Sequence, residues 1–198
     1  MLGSRPLDKT QHSSRSWRIH QIAKDFRLLD VWALPTPGGP DDFGELVRLM
    51  ATFDPGETSP AVRALFAIRW TIGRAFGLDR QETGLGTRVH SLRERLPADL
   101  ADTPSGFDAH LFTPLYITDD EFALEIANQT VHGVMHVGWV PDGIGGYRGQ
   151  MAVLVRPNGV LGVAYLAAIA PFRHLVVYPL MMRGIGRAWR QSAAGARP

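Results

Sequence analysis

Between Phe26 and Leu34 the chain reads FRLLDVWAL, a β-prone run, and PTPGGP, Pro35 to Pro40, then breaks it. Asp41 and Asp42 follow, where acidic side chains suit the positive end of a helix dipole. Phe43, Leu46, Val47, Met50 and Phe53 recur at intervals of three and four, one face of a helix that Pro55 and Gly56 end. Ser59-Pro60 opens a second expected helix, an N-cap followed by proline at the first helical position. Its buried stripe is Val62, Leu65, Ile68 or Arg69, Ile72 and Phe76, with Gly77 as C-terminal cap. SLRE, Ser91 to Glu94, matches a capping box and predicts a short helix before Pro97.

From Leu111 onward the period changes to two. LYI (Leu115 to Ile117), FALEIA (Phe122 to Ala127), TVHGVMHVGWV (Thr130 to Val140) and YRGQMAVLVR (Tyr147 to Arg156) read as successive strands. Their connections, TDDE, NQ and PDGIGG, are short, so neighbours are antiparallel. Asn158-Gly159 then starts a long apolar helix with Arg183, Arg187 and Arg190 in its last turns. The order of one strand, two helices, an antiparallel meander and one long helix is an α+β domain with helix packed on sheet.

The stretch VHGVMHVGW, Val131 to Trp139, carries His132 and His136 among apolar neighbours. Two glycines and three valines make it a strand rather than a helix. On a strand, residues four apart share a face but stand ~13 Å apart, too far to grip one metal ion together. With Asn128-Gln129 as a two-residue hairpin loop, Glu125 falls opposite His132 and Glu121 opposite His136. A glutamate beside an imidazole raises its pKa and orients it, which suits a general base. Polar pairs on the solvated face of a sheet are the plainer expectation, because the sequence offers no nucleophile or oxyanion donors nearby. The opposite parity, Met135 and Trp139 with Tyr147 and Met151 of the next strand, faces the helices.

Composition narrows the remaining options. The chain has 198 residues, 45% of them hydrophobic and 20% charged, enough for one domain with a full core. Without cysteine there are no disulfides, thiolate nucleophiles or zinc–thiolate sites, and a cytoplasmic protein is expected. The net charge is +2 although the pI is about 9.3, because arginine supplies nearly all the positive charge; the arginines are scattered, so nucleic-acid binding is not expected. Met1 to Arg18 is polar, lacks the apolar core of a leader, and reads as a flexible extension, as does 191–198 at the other end. The apolar run from Gly159 ends at Phe172, about 14 residues, short of the ~20 a spanning helix needs. A buried helix is expected there, with peripheral membrane contact as the other option. Asp119-Asp120-Glu121 lacks calcium-loop spacing and reads as a turn. GIGG, Gly143 to Gly146, precedes a strand, and GLG, Gly84 to Gly86, has no helix-start context, so neither cradles phosphate; no metal or cofactor is expected.

FTPLYITDDEFALEIANQTVHGVMHVGWVPDG, followed by GYRGQMAVLVRPNGVLGVAYLAAIAPFRHLVVYP, resembles the bacterial family called domain of unknown function 2867. DVWALPTPGGPDDF and AVRALFAIRW look like it too, so the resemblance covers roughly Ile19 to Trp189. NGVLGVAYLAAIAPFRHL is similar to the ends of domains fused to short-chain-dehydrogenase-like proteins, which look like the START, or polyketide-cyclase-like, helix-grip superfamily. That resemblance implies a curved antiparallel sheet wrapped around the long C-terminal helix, with two short helices after the first strand. It brings no activity and no site residues.

The expectation is therefore a helix-grip α+β domain over 19–190 that binds a small, largely apolar molecule between sheet and helix. Met135, Trp139, Tyr147, Met151 and Tyr165 are its candidate wall. Two alternatives stand beside it. One is a cofactor-independent cyclase, hydrolase or isomerase using Glu125–His132 or Glu121–His136, which requires those pairs to line a cleft. The other is a protein- or membrane-surface module acting through the C-terminal helix, which predicts an exposed apolar patch around Leu175 to Met182.

Overall fold

Period-two alternation of β-branched and aromatic residues with polar ones builds one antiparallel sheet, and helices cover one of its faces. The structure is a computed structural model and describes residues 6–53, 89–101, 112–128 and 130–195. The helix expected from Ser59 to Gly77 and the glycines at 84–86 lie outside the described residues. Two single turns, α1 (Thr10–Ser13) and α2 (Ile19–Ile22), precede β1 (Arg27–Ala33). After α3 (Phe43–Thr52) come a 3₁₀ turn (Leu92–Arg95), α4 (Ala98–Ala101), β2 (Thr113–Ile117), β3 (Glu121–Ala127), β4 (Val131–Pro141) and β5 (Tyr147–Pro157). Beyond β5 lie α5 (Gly159–Phe172), a widened π turn (Arg173–Val177) and α6 (Tyr178–Gly195). The strands run β1-β5-β4-β3-β2, so the meander turns back until β5 pairs with β1. The α+β class, the curved antiparallel sheet, the short helices and the long C-terminal helix stand as expected.

One face of the sheet is the apolar parity. Trp32, Phe122, Leu124, Val137, Trp139 and Met151 meet Phe43, Leu46 and Leu49 of α3 and Tyr178, Met182, Ile185 and Trp189 of α6. The PTPGGP loop is held over this layer by two indoles: Trp139 Nε1 donates to Gly39 O (2.9 Å) and Trp189 Nε1 to Pro37 O (3.0 Å).

The other face is not solvated. From Pro6 onward the segment expected as a flexible extension lies across it, and Trp17, Ile19, Ile22, Ala23 and Phe26 form a second core with Leu115, Tyr116, Ala123, Val134, Ala152 and Leu154. Leu7 N donates to Val31 O (2.9 Å), which ties the start of this strap to β1. Gly138 marks how closely the strap sits, since a Cβ there would lie 2.5 Å from the Trp17 ring. At the opposite end α6 continues to Gly195, into the stretch expected as a tail.

The β3–β4 register differs from the expected one by two residues: Ala123 lies opposite His136 and Ala127 opposite His132. The cause is the turn. Asn128 is its flanking residue, not its first loop residue: Asn128 N donates to Val131 O (2.9 Å), and its side-chain oxygen accepts from Thr130 N, Thr130 Oγ1 and Val131 N. A shift of two keeps every side chain on its expected face, whereas a shift of one would have exchanged the faces.

Two bulges do change parity, one at Leu29 in β1 and one at Leu115 in β2. The first turns Asp30 toward the helix layer, opposite Val153; the second turns Tyr116 toward the strap, opposite Ala123. Each thus re-aims one polar side chain into a buried cluster.

The C-terminal helix departs from the expected buried helix. α6 is packed, but α5 buries only Gly162, whose missing Cβ lets the helix approach Thr130 O. Val160 is 85% exposed, Leu161 60%, Val163 55%, Phe172 40% and Leu175 76%. The π turn ends two residues before Pro179, whose ring cannot donate and clashes with the carbonyl four residues back, so the extra residue in the turn relieves the clash. Tyr178 N bonds back to Arg173 O across it.

Gly138→Ala is expected to lower stability by about 1–3 kcal/mol through overpacking against Trp17. Urea unfolding of the variant measures it, and an unchanged midpoint would mean that the strap is not seated as described.

Candidate functional site

All four candidate catalytic residues, Glu121, Glu125, His132 and His136, are fully buried on the strap side. Their expected pairing holds despite the shifted register, because each glutamate now reaches its histidine along the diagonal of the ladder. His132 Nε2 lies 3.0 Å from Glu125 Oε2, and His136 Nε2 lies 2.6 Å from Glu121 Oε2. The solvated-face expectation is overturned: the strap and the Leu92–Arg95 turn exclude water from both pairs.

Each carboxylate is saturated with donors. Glu125 also accepts from the Ser91 hydroxyl and from Leu92 N (3.0 Å), while the Phe26 ring meets the His132 ring edge-on at 4.9 Å. Ser91 thus caps its own turn, accepting from Arg93 N, and anchors it to β3. Glu121 accepts from Arg18 N (2.7 Å) and from the Tyr116 hydroxyl (2.8 Å). Burial alone would raise the Glu121 pKa, but His136, Arg18 N and Tyr116 together hold it below its ordinary value. The Tyr116 hydroxyl is pushed well up by burial first and the Glu121 charge second.

The strap adds two histidines, His12 from the stretch expected as a flexible extension and His20 just beyond it. His12 Nε2 lies 3.0 Å from His136 Nδ1, and His20 Nε2 lies 3.3 Å from His12 Nδ1. Since a carboxylate only accepts, neutral rings must all point one way: His20 donates to His12, His12 to His136 and His136 to Glu121. His12 is pushed down to about 3 by burial, then by His136, His20 and Arg15. His20, half-buried at the rim, is lowered by burial first and by His136, against the opposing pull of Glu121 and a hydrogen bond to the Arg15 backbone. Because His12 uses one nitrogen toward each neighbour, these imidazoles form a chain instead of converging. Among the described residues no group of three or more histidine or acidic side chains is arranged to hold a metal ion.

Chemically, this is a head-to-tail relay of proton donors and acceptors with only its His20 end near solvent. Among the described residues both glutamates are buried beneath the cluster that contains Trp17, Ile19 and Phe26.

On the opposite face the candidate wall residues Met135, Trp139, Tyr147 and Met151 come together in the core beneath α3 and α6, with Trp139 beside Tyr147 (6.5 Å) and Trp189 (6.0 Å). Tyr165 does not join them; it lies on α5. A further cluster was not foreseen. Asp30 accepts from the Tyr178 hydroxyl (2.8 Å) and pairs with His174 Nε2 (3.1 Å); Arg173 Nε lies 2.9 Å away as an ion pair, not an aligned hydrogen bond. This cluster pins the π turn to β1, and burial and Asp30 together push the Tyr178 hydroxyl well up.

His136→Ala is expected to cost about 3–5 kcal/mol, because it strands the Glu121 carboxylate in the interior. Equilibrium denaturation reads this directly, and a loss below about 1 kcal/mol would place the pair in water.

No curated protein and no solved structure matches the chain, and the likeness to the START-type superfamily stays a resemblance. The family match covers residues 22–180, from the second turn of the strap through both sheet faces to the start of α6, so the chain belongs to the family described as protein of unknown function DUF2867.

Proposed function

We propose that this domain works at a membrane surface, docking through α5 onto an anionic bilayer. The supporting observation is the exposure of Val160, Leu161, Val163 and Phe172 on α5, with Leu175 exposed in the π turn that follows. Full transfer of such a side chain out of water is worth about 1.5–3 kcal/mol, so leaving five of them exposed is costly unless something covers them.

The occupant follows from the shape of the apolar surface. GVLGVAYLAAIAPF carries no charged side chain on any side of the helix. A second protein would require one apolar stripe, whereas acyl chains cover a helix all round. Charge points the same way. From Gly159 onward the chain has five arginines and no acidic residue, and Arg183, Arg187 and Arg190 share an exposed face of α6. Such a stripe suits phosphate headgroups.

Length limits the mode. Gly159–Ala193 contains a stretch long and apolar enough to cross a bilayer by composition. Tyr178, Met182, Ile185 and Trp189 hold α6 to the sheet, however, which leaves only the 14 residues of α5 free. They reach about 21 Å, short of the ~30 Å hydrocarbon thickness. The helix therefore enters one leaflet, and the Asp30-bound Arg173 and His174 mark where it stops. An apolar ligand between sheet and helix has less support, since its candidate wall residues pack against one another and against Met182 and Trp189.

Flotation with vesicles of phosphatidylcholine containing phosphatidylglycerol tests the reading. The chain is expected to float with these vesicles, less so at high salt, and Leu161→Glu with Val163→Glu is expected to cut partitioning at least about ten-fold without altering stability. Failure to float overturns the reading. If the protein then sediments as a dimer that the same double variant dissolves, α5 is covered by a second copy.

A further inference from the structure

We propose that the strap, residues 6–26, is an acid-sensitive latch: seated, it withholds protons from its own histidines, and acidification drives it to open from the sheet. The proposal stands apart from membrane docking and uses a different face of the molecule.

The geometry carries it. His20, His12 and His136 touch in series through their ring nitrogens, and the series ends on Glu121. A chain of imidazoles of this kind can hold one extra proton by turning its tautomers along the line. It cannot hold two on adjacent rings, because an N–H would then face an N–H across 3.0 or 3.3 Å. Two of the three rings, His12 and His20, belong to the strap, while His136 belongs to β4. Once open, the strap places His12 and His20 in water, where each takes its own proton below about pH 6.5.

The surrounding charges do not relieve the conflict. The strap itself contributes Arg15 beside His12. Arg18 offers its backbone N–H to Glu121 while its guanidinium pairs with Asp99 of α4. β2 supplies Tyr116 and β3 supplies Glu121, the one carboxylate on the relay, already holding three donors. β5 places Ala152 opposite His136 and carries Arg148 four residues along the same face.

The sign follows from linkage. His12 sits near 3 when seated, against about 6.5 when free, so the open form binds more protons throughout that interval. The seat is at full strength above about pH 6.5 and weakens as pH falls toward 3. One withheld proton multiplies the opening constant about ten-fold per pH unit, about thirty-fold by pH 5. Trp17, Ile19, Ile22 and Phe26 still bind the strap by burial, so acid raises the frequency of opening without stripping the segment off. Opening uncovers the Glu121–His136 pair, which the seated strap buries.

Hydrogen–deuterium exchange by mass spectrometry, corrected for the intrinsic pH dependence, tests this on the whole chain. The reporters are the amides of Leu7, bonded to Val31 O, and Arg18, bonded to Glu121, with the central amides of β4 as internal reference. Strap protection is expected to fall about thirty-fold relative to β4 between about pH 8 and about pH 5. His12→Gln keeps a donor toward His136 but cannot titrate, and is expected to abolish the selective loss. Strap and β4 protection falling together, or an unchanged acid response in His12→Gln, overturns the proposal. Should that variant fail to fold, His12→Asn, which likewise cannot titrate, is expected to flatten the response, and an unaltered response there overturns the proposal equally.

Discussion

A carboxylate taken out of water must be given partners, and this requirement governs the strap side of the molecule. Glu121 and Glu125 alternate with Ala123 along β3, so they project from the same face. Each is compensated by a histidine one diagonal away on β4 and by backbone N–H groups from outside the sheet: Arg18 from the strap, and Leu92 from the 3₁₀ turn. The segments that exclude water from the carboxylates are thus the same ones that donate to them. Neither half of the arrangement is stable alone. An uncovered face would hydrate the pairs, and a cover lacking those N–H groups would leave charge unsatisfied.

The same requirement explains where the sheet is irregular. Regular alternation would leave Tyr116 facing the apolar helix layer and Asp30 facing the strap. The bulges at Leu115 and Leu29 invert both, sending the tyrosine to Glu121 and the aspartate to Tyr178, Arg173 and His174. Each buried polar cluster therefore depends on one extra residue in an edge or near-edge strand, and each ties a different terminal segment to the sheet. The Glu121 cluster holds the strap; the Asp30 cluster holds the π turn.

That second tie divides the C-terminal helix into two parts of unlike character. Downstream of Asp30's partners the helix is amphipathic and packed through Tyr178, Met182, Ile185 and Trp189. Upstream it carries no charged side chain and is largely exposed, with Gly162 buried against the sheet end and Tyr165, Leu166, Ile169 and Ala170 half-buried. A continuous helix would transmit the orientation of its packed half to its free half, and the Arg173–His174–Asp30 contacts fix where one regime gives way to the other. The 14 residues of the upstream half extend about 21 Å.

Much of this was legible in the sequence, because it depends on short-range periodicity. The strand limits, the antiparallel meander, α3 and the start of the C-terminal helix follow from alternation of two and recurrence of three to four. The Glu–His pairs follow too, since a shift of two in register preserves the face of every residue, and only the opposing partner changed when Asn128 took the flanking position in its turn. What alternation could not supply was the cover. Even positions of β4 looked solvated because they are polar, yet polarity is equally compatible with burial when partners arrive from elsewhere in the chain. Trp17, Ile19, Ile22 and Phe26 in an otherwise polar leader were the available signal for that cover. The bulges leave no composition signature, and the exposure of α5 is equally invisible, for an all-apolar helix reads as buried until the surrounding elements are placed. By itself the sequence determined which residues share a face; only the tertiary structure decided what lies against each face, because that depends on contacts between residues far apart in the chain, such as His12 with His136, 124 positions apart, and Pro37 with Trp189, 152 apart.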